Sequence, residues 1–278
     1  KGTKVFHLNS ACGKLGLFRD YLCLKRIHKA KFKSVLHFHC DLSKTIGKSK
    51  IRRMILSKMC NFASFNLVLN DASKHALETL ECKNIQLMPN FVDDYYLEPF
   101  EKDYSDKIAN VIFVGRIVKE KGVIEILDTA RENPQILFTL IGPVEHDNEK
   151  FMDHVPNNVR CLGPKTKKEI RSALRSSDVF LLPTYSEGLS ISIMEAMASK
   201  MPIITTDVGG NRSMIENKGG LLIPIKNSSE ISHAIMKMMD KKIRRNMGEW
   251  NNEKCKREFS TESVMKKLKM VYSKLADF

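Results

Sequence analysis

Residues 181–210, "LLPTYSEGLSISIMEAMASKMPIITTDVGG", decide the fold. The runs "DVFLLPT" at 178–184 and "MPIITTD" at 201–207 are short and apolar, as strands covered on both faces of a parallel sheet are. Between them a turn with Pro183 leads into a helix at 189–199. Two carboxylates, Glu187 at the helix mouth and Glu195 eight positions on, flank a largely apolar stretch and need a use.

Outward from this stretch the alternation continues. Toward the N-terminus lie a helix at 166–176, strands "NVRCLG" and "QILFTLIG", a helix at 121–131 and the strand "NVIFVG" from 110. Toward the C-terminus lie the strand "GGLLIPI", helices at 228–240 and 241–257, and a last helix in which Val264, Leu268, Val271 and Leu275 recur every three or four residues. Residues 93–108, "DDYYLEPFEKDYSDKI", break the rhythm and read as a linker. Before them the pattern repeats: strands "KVFHLNS", "SVLHFHC", "NLVLN" and "NIQLMPN", with helices at 15–30, 47–63 and 72–80. The helix at 47–63 carries Ile51, Ile55, Met59 and Phe62 at helical spacing. The expected architecture is α/β, with two Rossmann-like doubly wound parallel sheets, divided as residues 1–94, 95–258 and a closing helix at 259–278. Such sheets bind ligands at the carboxyl ends of their strands, and a cleft between two such units is the expected place for a site.

Composition narrows the class. A 278-residue chain with 42% hydrophobic content can bury a sizeable core, which argues against disorder and fibre. No apolar run approaches the ~18 residues that a membrane span requires. Seven scattered cysteines without a C-x-x-C pair fit a reducing cytoplasm better than a disulfide scaffold or a zinc knuckle. The net charge of +14 is concentrated at the ends: residues 1–94 hold 17 Lys/Arg against 7 Asp/Glu, and 241–278 hold 11 against 5. That field suits an anionic substrate, nucleic acid or an anionic membrane surface. With no initiator methionine and an immediate strand, the N-terminal part of the parent protein is expected to be missing.

The glutamates suggest a ligand. Glu187 can cap the helix, while Gly188 beside it lets backbone amides approach phosphate or sugar oxygens. On a helical wheel Glu195 shares a side with Ile191 and Ala198, leaving Ser192, Ser199 and Lys200 for solvent. A withdrawn carboxylate requires a partner, either an ion pair or the paired hydroxyls of a ribose. In "VIFVGRIVKEKGVIEIL" a strand ends at Gly115 and a basic loop presents Arg116, Lys119 and Lys121; Arg116 is well placed to neutralise a diphosphate. Cations and carboxylates at the ends of different strands describe a nucleotide-sugar.

At "VGRIVKEKG", "SSDVFLLPTYSEGLSISIMEAMASKMPIITTDVGG", "PNFVD" and "SVLHFHCD" the chain resembles the large retaining glycosyltransferase family usually numbered four, with the two-lobed GT-B fold. The resemblance implies an incomplete first, acceptor-side lobe and a second lobe for the nucleotide-sugar. It implies that Arg116 and Lys121 bind the donor diphosphate, and that Glu187 meets the transferred sugar. The amides of Gly188, Leu189 and Ser190 would meet phosphate or sugar oxygens. Glu195 would hold the ribose, and Pro164 and Lys165 would lie by the base. His39 is favoured over His37, two positions earlier on its strand, as the histidine that reaches the sugar. Cys40 stands where the family commonly has glycine.

The implied reaction moves a hexose or N-acetylhexosamine from an NDP-sugar, first among them a UDP-sugar, to a glycan or lipid-linked acceptor, with retention and without a metal or other cofactor. That places the protein in surface polysaccharide or glycolipid synthesis, in the cytoplasm or peripherally on the membrane's cytoplasmic face. Lys50, Arg52, Arg53 and Lys58 give the helix at 47–63 a basic side that suits an anionic membrane, or that is simply solvated. Three other readings stand beside this one: a two-lobed NDP-sugar epimerase, an inactive fragment, and a nucleic-acid-binding protein. The last is disfavoured, and no nucleic-acid partner is expected, because the basic segments lack interleaved aromatics.

Overall fold

The structure, a computed structural model, describes residues 5–10, 13–47, 49–145 and 154–276. Lys4, Cys12 and Lys48, which entered the sequence reading, lie outside the described residues. The chain divides into two compact units, one of Lys1–Asn90, Glu187–Leu189 and Glu262–Phe278, the other of Phe91–Ser186 and Ser190–Thr261.

In the first unit β1 (Val5–Ser10), β2 (Lys33–Phe38), β3 (Phe65–Val68) and β4 (Ile85–Leu87) form a parallel sheet in that order. Alternation along β2 explains its two cores, since neighbouring side chains on a strand point to opposite faces. Leu36 and Phe38 join Leu24, Leu56, Met59 and Val68 in the core that includes α1 (Lys14–Lys29), α3 (Lys50–Phe62) and α4 (Asp71–Glu78). Val35 points the other way and packs with Leu67, Met88 and the Val264, Val271 and Leu275 stripe of α11 (Thr261–Ala276). Buried leucines of this kind cost about 2–5 kcal/mol each when cut to alanine. A short α2 (Leu42–Thr45), capped by Asp41, precedes α3 and was not anticipated.

Of the apolar stripe expected on α3, Met59 is buried and Ile55 and Phe62 pack against the core beside Leu56 and Cys60, while Ile51 in the first turn is 69% exposed. The helix packs against α1.

In the second unit six parallel strands run in the order β10-β9-β8-β5-β6-β7. They are β5 (Asn110–Val114), β6 (Leu137–Ile141), β7 (Val159–Cys161), β8 (Val179–Leu182), β9 (Ile203–Thr206) and β10 (Gly220–Ile223). Around the sheet are α5 (Val123–Glu132), α6 (Lys167–Ser176), α7 (Ile191–Ala198), α8 (Asn211–Ile215), α9 (Ser228–Lys237) and α10 (Lys241–Phe259). The order reverses between β5 and β8, which is the crossover where open α/β sheets take ligands. Helix α8 was missed because "DVGG" reads as a turn and only five residues follow in the helix.

The stretch at 93–108 is not a loose linker. It forms a 3₁₀ turn at Asp94–Leu97 and buries Tyr96 and Tyr104. Its Lys102 ammonium donates to the Leu174, Arg175 and Ser177 carbonyls, the orphan acceptors at the end of α6. Burial pushes that ammonium's pKa down to about 8.

Candidate functional site

The second unit brings backbone to its strand ends. β5 runs into Gly115 and Arg116, and the Gly115 and Ile117 amides donate to Ile141 and Pro143 at 2.9 and 2.8 Å. Gly142, at φ 145°, passes so close that a Cβ there would lie 1.9 Å from the Gly115 oxygen. Gly122, at φ 76°, opens α5 with no room for a side chain, since a Cβ would meet the Pro183 oxygen at 2.1 Å. These positions require glycine both for space and for backbone angle.

Arg116 is exposed at this edge and ion-paired to Glu145. Lys121 ends the 3₁₀ turn Lys119–Lys121 just before Gly122. After β8 the backbone is tied down: the Tyr185 amide donates to the Glu120 oxygen at 2.8 Å, and the Tyr185 hydroxyl donates to Glu125 at 2.6 Å. Ser190 then caps α7 by accepting from the Ile193 amide at 3.4 Å. Pro164 and Lys165 are exposed before α6, whose Thr166 and Glu169 close a reciprocal capping box, and Lys165 pairs with Glu169 at 3.3 Å.

Glu195 is withdrawn from water, but not for the reasons its helical position suggested. Ile191 is 51% exposed and Ser199 is fully buried, so the wheel assigned both wrongly. At the start of α7 Ile191 is open to solvent and Ser192 half-buried, while Ile193, Met194 and the residues after Glu195 pack into the unit. What covers Glu195 comes from outside the helix, from the 3₁₀ turn that carries Asp93 and Tyr96. Desolvation holds the Glu195 pKa up to about 7; the nearby Tyr96 hydroxyl and the Lys167 charge oppose that rise, and Asp93 adds to it. The Tyr96 hydroxyl is buried without a well-formed hydrogen bond, and its own pKa is raised, first by burial and then by Glu195. Lys167 is ion-paired to Asp93 at 2.5 Å and does not neutralise Glu195 through a salt bridge. The carboxyl and the hydroxyl are thus left with hydrogen-bonding capacity to spare.

In the first unit three histidines line up across two strands. The His7 and His37 ring centres are 5.5 Å apart and those of His37 and His39 are 4.1 Å apart. His37 is buried and its Nε2 has no hydrogen-bond partner; burial, then the neighbouring His39 and His7, push its pKa down to about 3. His39, just past the end of β2, is exposed, and its Nε2 lies 2.9 Å from Asn9 Oδ1. The groups packed around its ring still desolvate it enough to lower its pKa, with a hydrogen bond to the Asn90 side chain opposing. His7 Nδ1 meets the Tyr272 hydroxyl of α11 at 2.6 Å.

The segment Glu187–Leu189 is counted with this first unit, although both its flanks belong to the second. Asn70 Nδ2 donates to the Gly188 oxygen at 2.7 Å, and Asn90 Nδ2 donates to the Leu189 oxygen at 3.0 Å. A Cβ on Gly188 would come 3.1 Å from Leu69, so the turn lies close on its neighbours. Among the described residues no hydrogen bond uses the N–H of Gly188, Leu189 or Ser190. Asn70, Asn90, Tyr96 and Asn9 were not singled out from sequence. Asn90 stands inside the quoted "PNFVD", and an asparagine at a strand end before a helix is the one local signal that could have drawn attention to Asn70.

Two doubly wound parallel sheets, one of four strands and one of six, match the two-lobed GT-B fold. The sequence profile described as "Glycosyl transferases group 1" matches residues 98–254, and the chain belongs to that family. A UDP-Gal:alpha-D-GlcNAc-diphosphoundecaprenol alpha-1,3-galactosyltransferase of Escherichia coli is 27% identical over 210 residues, covering 68% of this chain and 54% of that protein. Among solved structures, the sucrose-phosphate synthase of Thermosynechococcus elongatus superposes with a TM-score of 0.83 at 18% identity, over 98% of this chain and 73% of the other. Anabaena HepE in complex with UDP gives 0.82 at 18% identity, over 97% and 79%. The chain spans between 33% and 54% of the length of the first curated relatives it matches. Among the described residues no cluster of His, Cys, Asp or Glu could hold a metal ion, and no helix is long and apolar enough to cross a membrane.

Proposed function

We propose that the protein is a retaining glycosyltransferase that moves a hexose or N-acetylhexosamine from an NDP-sugar to a hydroxyl of a glycan or lipid-linked acceptor. The observation that carries this reading is Glu195, a desolvated carboxyl whose nearby partners are the Tyr96 hydroxyl and the Lys167 charge, in a family of glycosyl transferases. Paired ribose hydroxyls can donate to a carboxylate whose hydration burial has reduced. A UDP-sugar is the favoured donor, since the relative from Escherichia coli is named for UDP-Gal and HepE was crystallised with UDP.

In this reading Arg116 and Lys121 bind the diphosphate, and Pro164 and Lys165 lie by the base. The amides of Gly188, Leu189 and Ser190 meet phosphate or sugar oxygens, while Glu187 and His39 address the transferred sugar. The bond from the anomeric carbon to the phosphate oxygen breaks, and the acceptor oxygen bonds to that carbon on the same face. The acceptor's proton passes to the leaving diphosphate, which departs as NDP. The chief task of the protein is then to stabilise charge on the leaving group, for which fixed cations and amides are suited.

We place the reaction at the cytoplasmic face of a membrane, where residues 1–94 would serve the acceptor and α3 would rest peripherally on anionic lipid. Ile51 and Met54 of α3 are 69% and 51% exposed, on a helix that also carries Lys50 and Lys58. A calorimetric screen of UDP-, GDP- and ADP-sugars against the 278-residue chain, with released NDP followed in parallel, tests the reading. Saturable binding of one donor is the expected result, and absence of binding by all three would sink it.

A further inference from the structure

Among the described residues, the hydrogen bonds that hold the Gly188–Leu189–Ser190 turn all fall on its oxygens. Asn70 Nδ2 takes the Gly188 carbonyl at 2.7 Å and Asn90 Nδ2 takes the Leu189 carbonyl at 3.0 Å. Among the described residues no peptide is cis, and in a planar trans peptide the C=O and the N–H of the next residue point in opposite directions. Fixing the Gly188 oxygen therefore fixes the Leu189 N–H to point away from Asn70, and fixing the Leu189 oxygen does the same for the Ser190 N–H. Neither N–H has an acceptor among the described residues. Two successive amides are thus aimed by two side chains, and the donors that would otherwise turn inward are spent elsewhere.

The asparagines are themselves rigid. Asn70 uses its Oδ1 to cap α4, accepting from the Ser73 amide at 2.8 Å, which leaves its Nδ2 one orientation. It is buried, and Asn90 is half-buried. Without the two donors, the turn could rotate either peptide and pull an N–H out of line. A pre-set donor costs no reorganisation when an anion arrives.

We infer that Asn70 and Asn90 are positioning residues that aim the Leu189 and Ser190 N–H groups at the diphosphate of the donor. The inference rests on the nucleotide-sugar reading above and adds to it the residues that orient the turn. Neither asparagine is assigned any contact with the donor, so their effect has to appear in the affinity for phosphate and not for nucleoside.

Asn70→Ser separates this role from a structural one. Serine caps a helix as well as asparagine does, so α4 keeps its cap, but the hydroxyl is too short to hold the Gly188 oxygen. Asn90→Ser makes the same cut at Leu189. UDP and uridine are titrated calorimetrically into wild type and both variants, with melting temperature as a check on the fold. The expected result is UDP binding weakened about tenfold, as for loss of a hydrogen bond to a charged group, with uridine binding changed less than twofold. Equal weakening of UDP and uridine, or UDP affinity within twofold of wild type in both folded variants, would overturn the inference. Should wild type bind none of UDP, GDP and ADP, the nucleotide-sugar reading itself fails and the inference falls with it. Should Asn70→Ser melt early, Asn90→Ser, which breaks no helix cap, decides the question.

Discussion

The strand ends of the two sheets are built from different materials. In the second unit they are backbone brought close by glycine, with Gly142 against Gly115 and Gly122 against Pro183. In the first they are side chains: a histidine row, and two asparagines gripping a turn. Burial also works on them in opposite directions of pH. It lowers the pKa of His37 to about 3 and raises that of Glu195 to about 7, so each side chain leans toward its neutral form. The stability that His37 contributes is complete above its unfolded value near 6.5 and is lost as pH falls toward 3. For Glu195 the stability is complete below its unfolded value near 4.5 and is lost as pH rises through about 7. One fold thus places an acid-sensitive group in one unit and an alkali-sensitive group in the other.

The largest way to break this comparison is to place a methyl group where backbone needs room. Gly142→Ala is expected to destabilise the second unit by about 3 kcal/mol or more, measured by denaturant unfolding, because its Cβ has a carbonyl oxygen in its path. Near-wild-type stability would mean that the β5 and β6 ends can move apart. Next in size, Arg116→Ala should lower turnover about 100-fold in an NDP-release assay, if charge on the leaving group is what the strand end neutralises. Turnover within threefold of wild type would leave the glycine-built edge without a role in the diphosphate.

Wild type is expected to bind UDP more tightly as its Glu195 carboxyl ionises between pH 6 and about 8, and Glu195→Gln should abolish that rise and weaken UDP about tenfold at pH 8. In the free protein the same variant should flatten the loss of melting temperature from pH 5 to pH 8. A wild-type affinity indifferent to pH in that range would contradict a ribose-binding carboxylate. The smallest effect is expected from His37→Gln, which should reduce the loss of melting temperature between pH 6.5 and 4.5 by a few degrees. An unchanged slope would mean that other groups carry the acid response of the first unit.

The sequence was a good guide to the sheets and a poor guide to orientation. Apolar runs such as "VFLL" and "IITT" become β8 and β9 because length and composition suffice for a strand covered on both faces. The Val264, Val271 and Leu275 stripe is buried where helical spacing put it. On α7, by contrast, several stripes fit the helical period, and only the neighbours choose among them, so Ile191 is exposed and Ser199 is buried; on α3 the first-turn Ile51 is exposed as well. The withdrawal of Glu195 was anticipated, yet its cause lies with Tyr96 and Asp93, about 100 positions earlier in a stretch that reads as polar linker. His37 and His39 share a face of their strand, and His39 could be placed at its end and His37 inside by position along the apolar run. The asparagine clamps could not, because a side-chain amide 118 positions from its acceptor leaves no local trace.

The first unit has one further consequence, for the order in which the chain can fold. Its sheet is synthesised first, but the turn gripped by Asn70 and Asn90 follows about 100 residues later, and His7 waits for Tyr272, 265 positions on. The core on the Val35 face closes only when Leu275 has been made. The second unit, nearly continuous from Phe91 to Thr261, can complete itself earlier. Contacts of such long sequence separation are entropically costly and slow to form. During synthesis the half that begins the chain is therefore the half that finishes last, and it is the one exposed longest to misfolding.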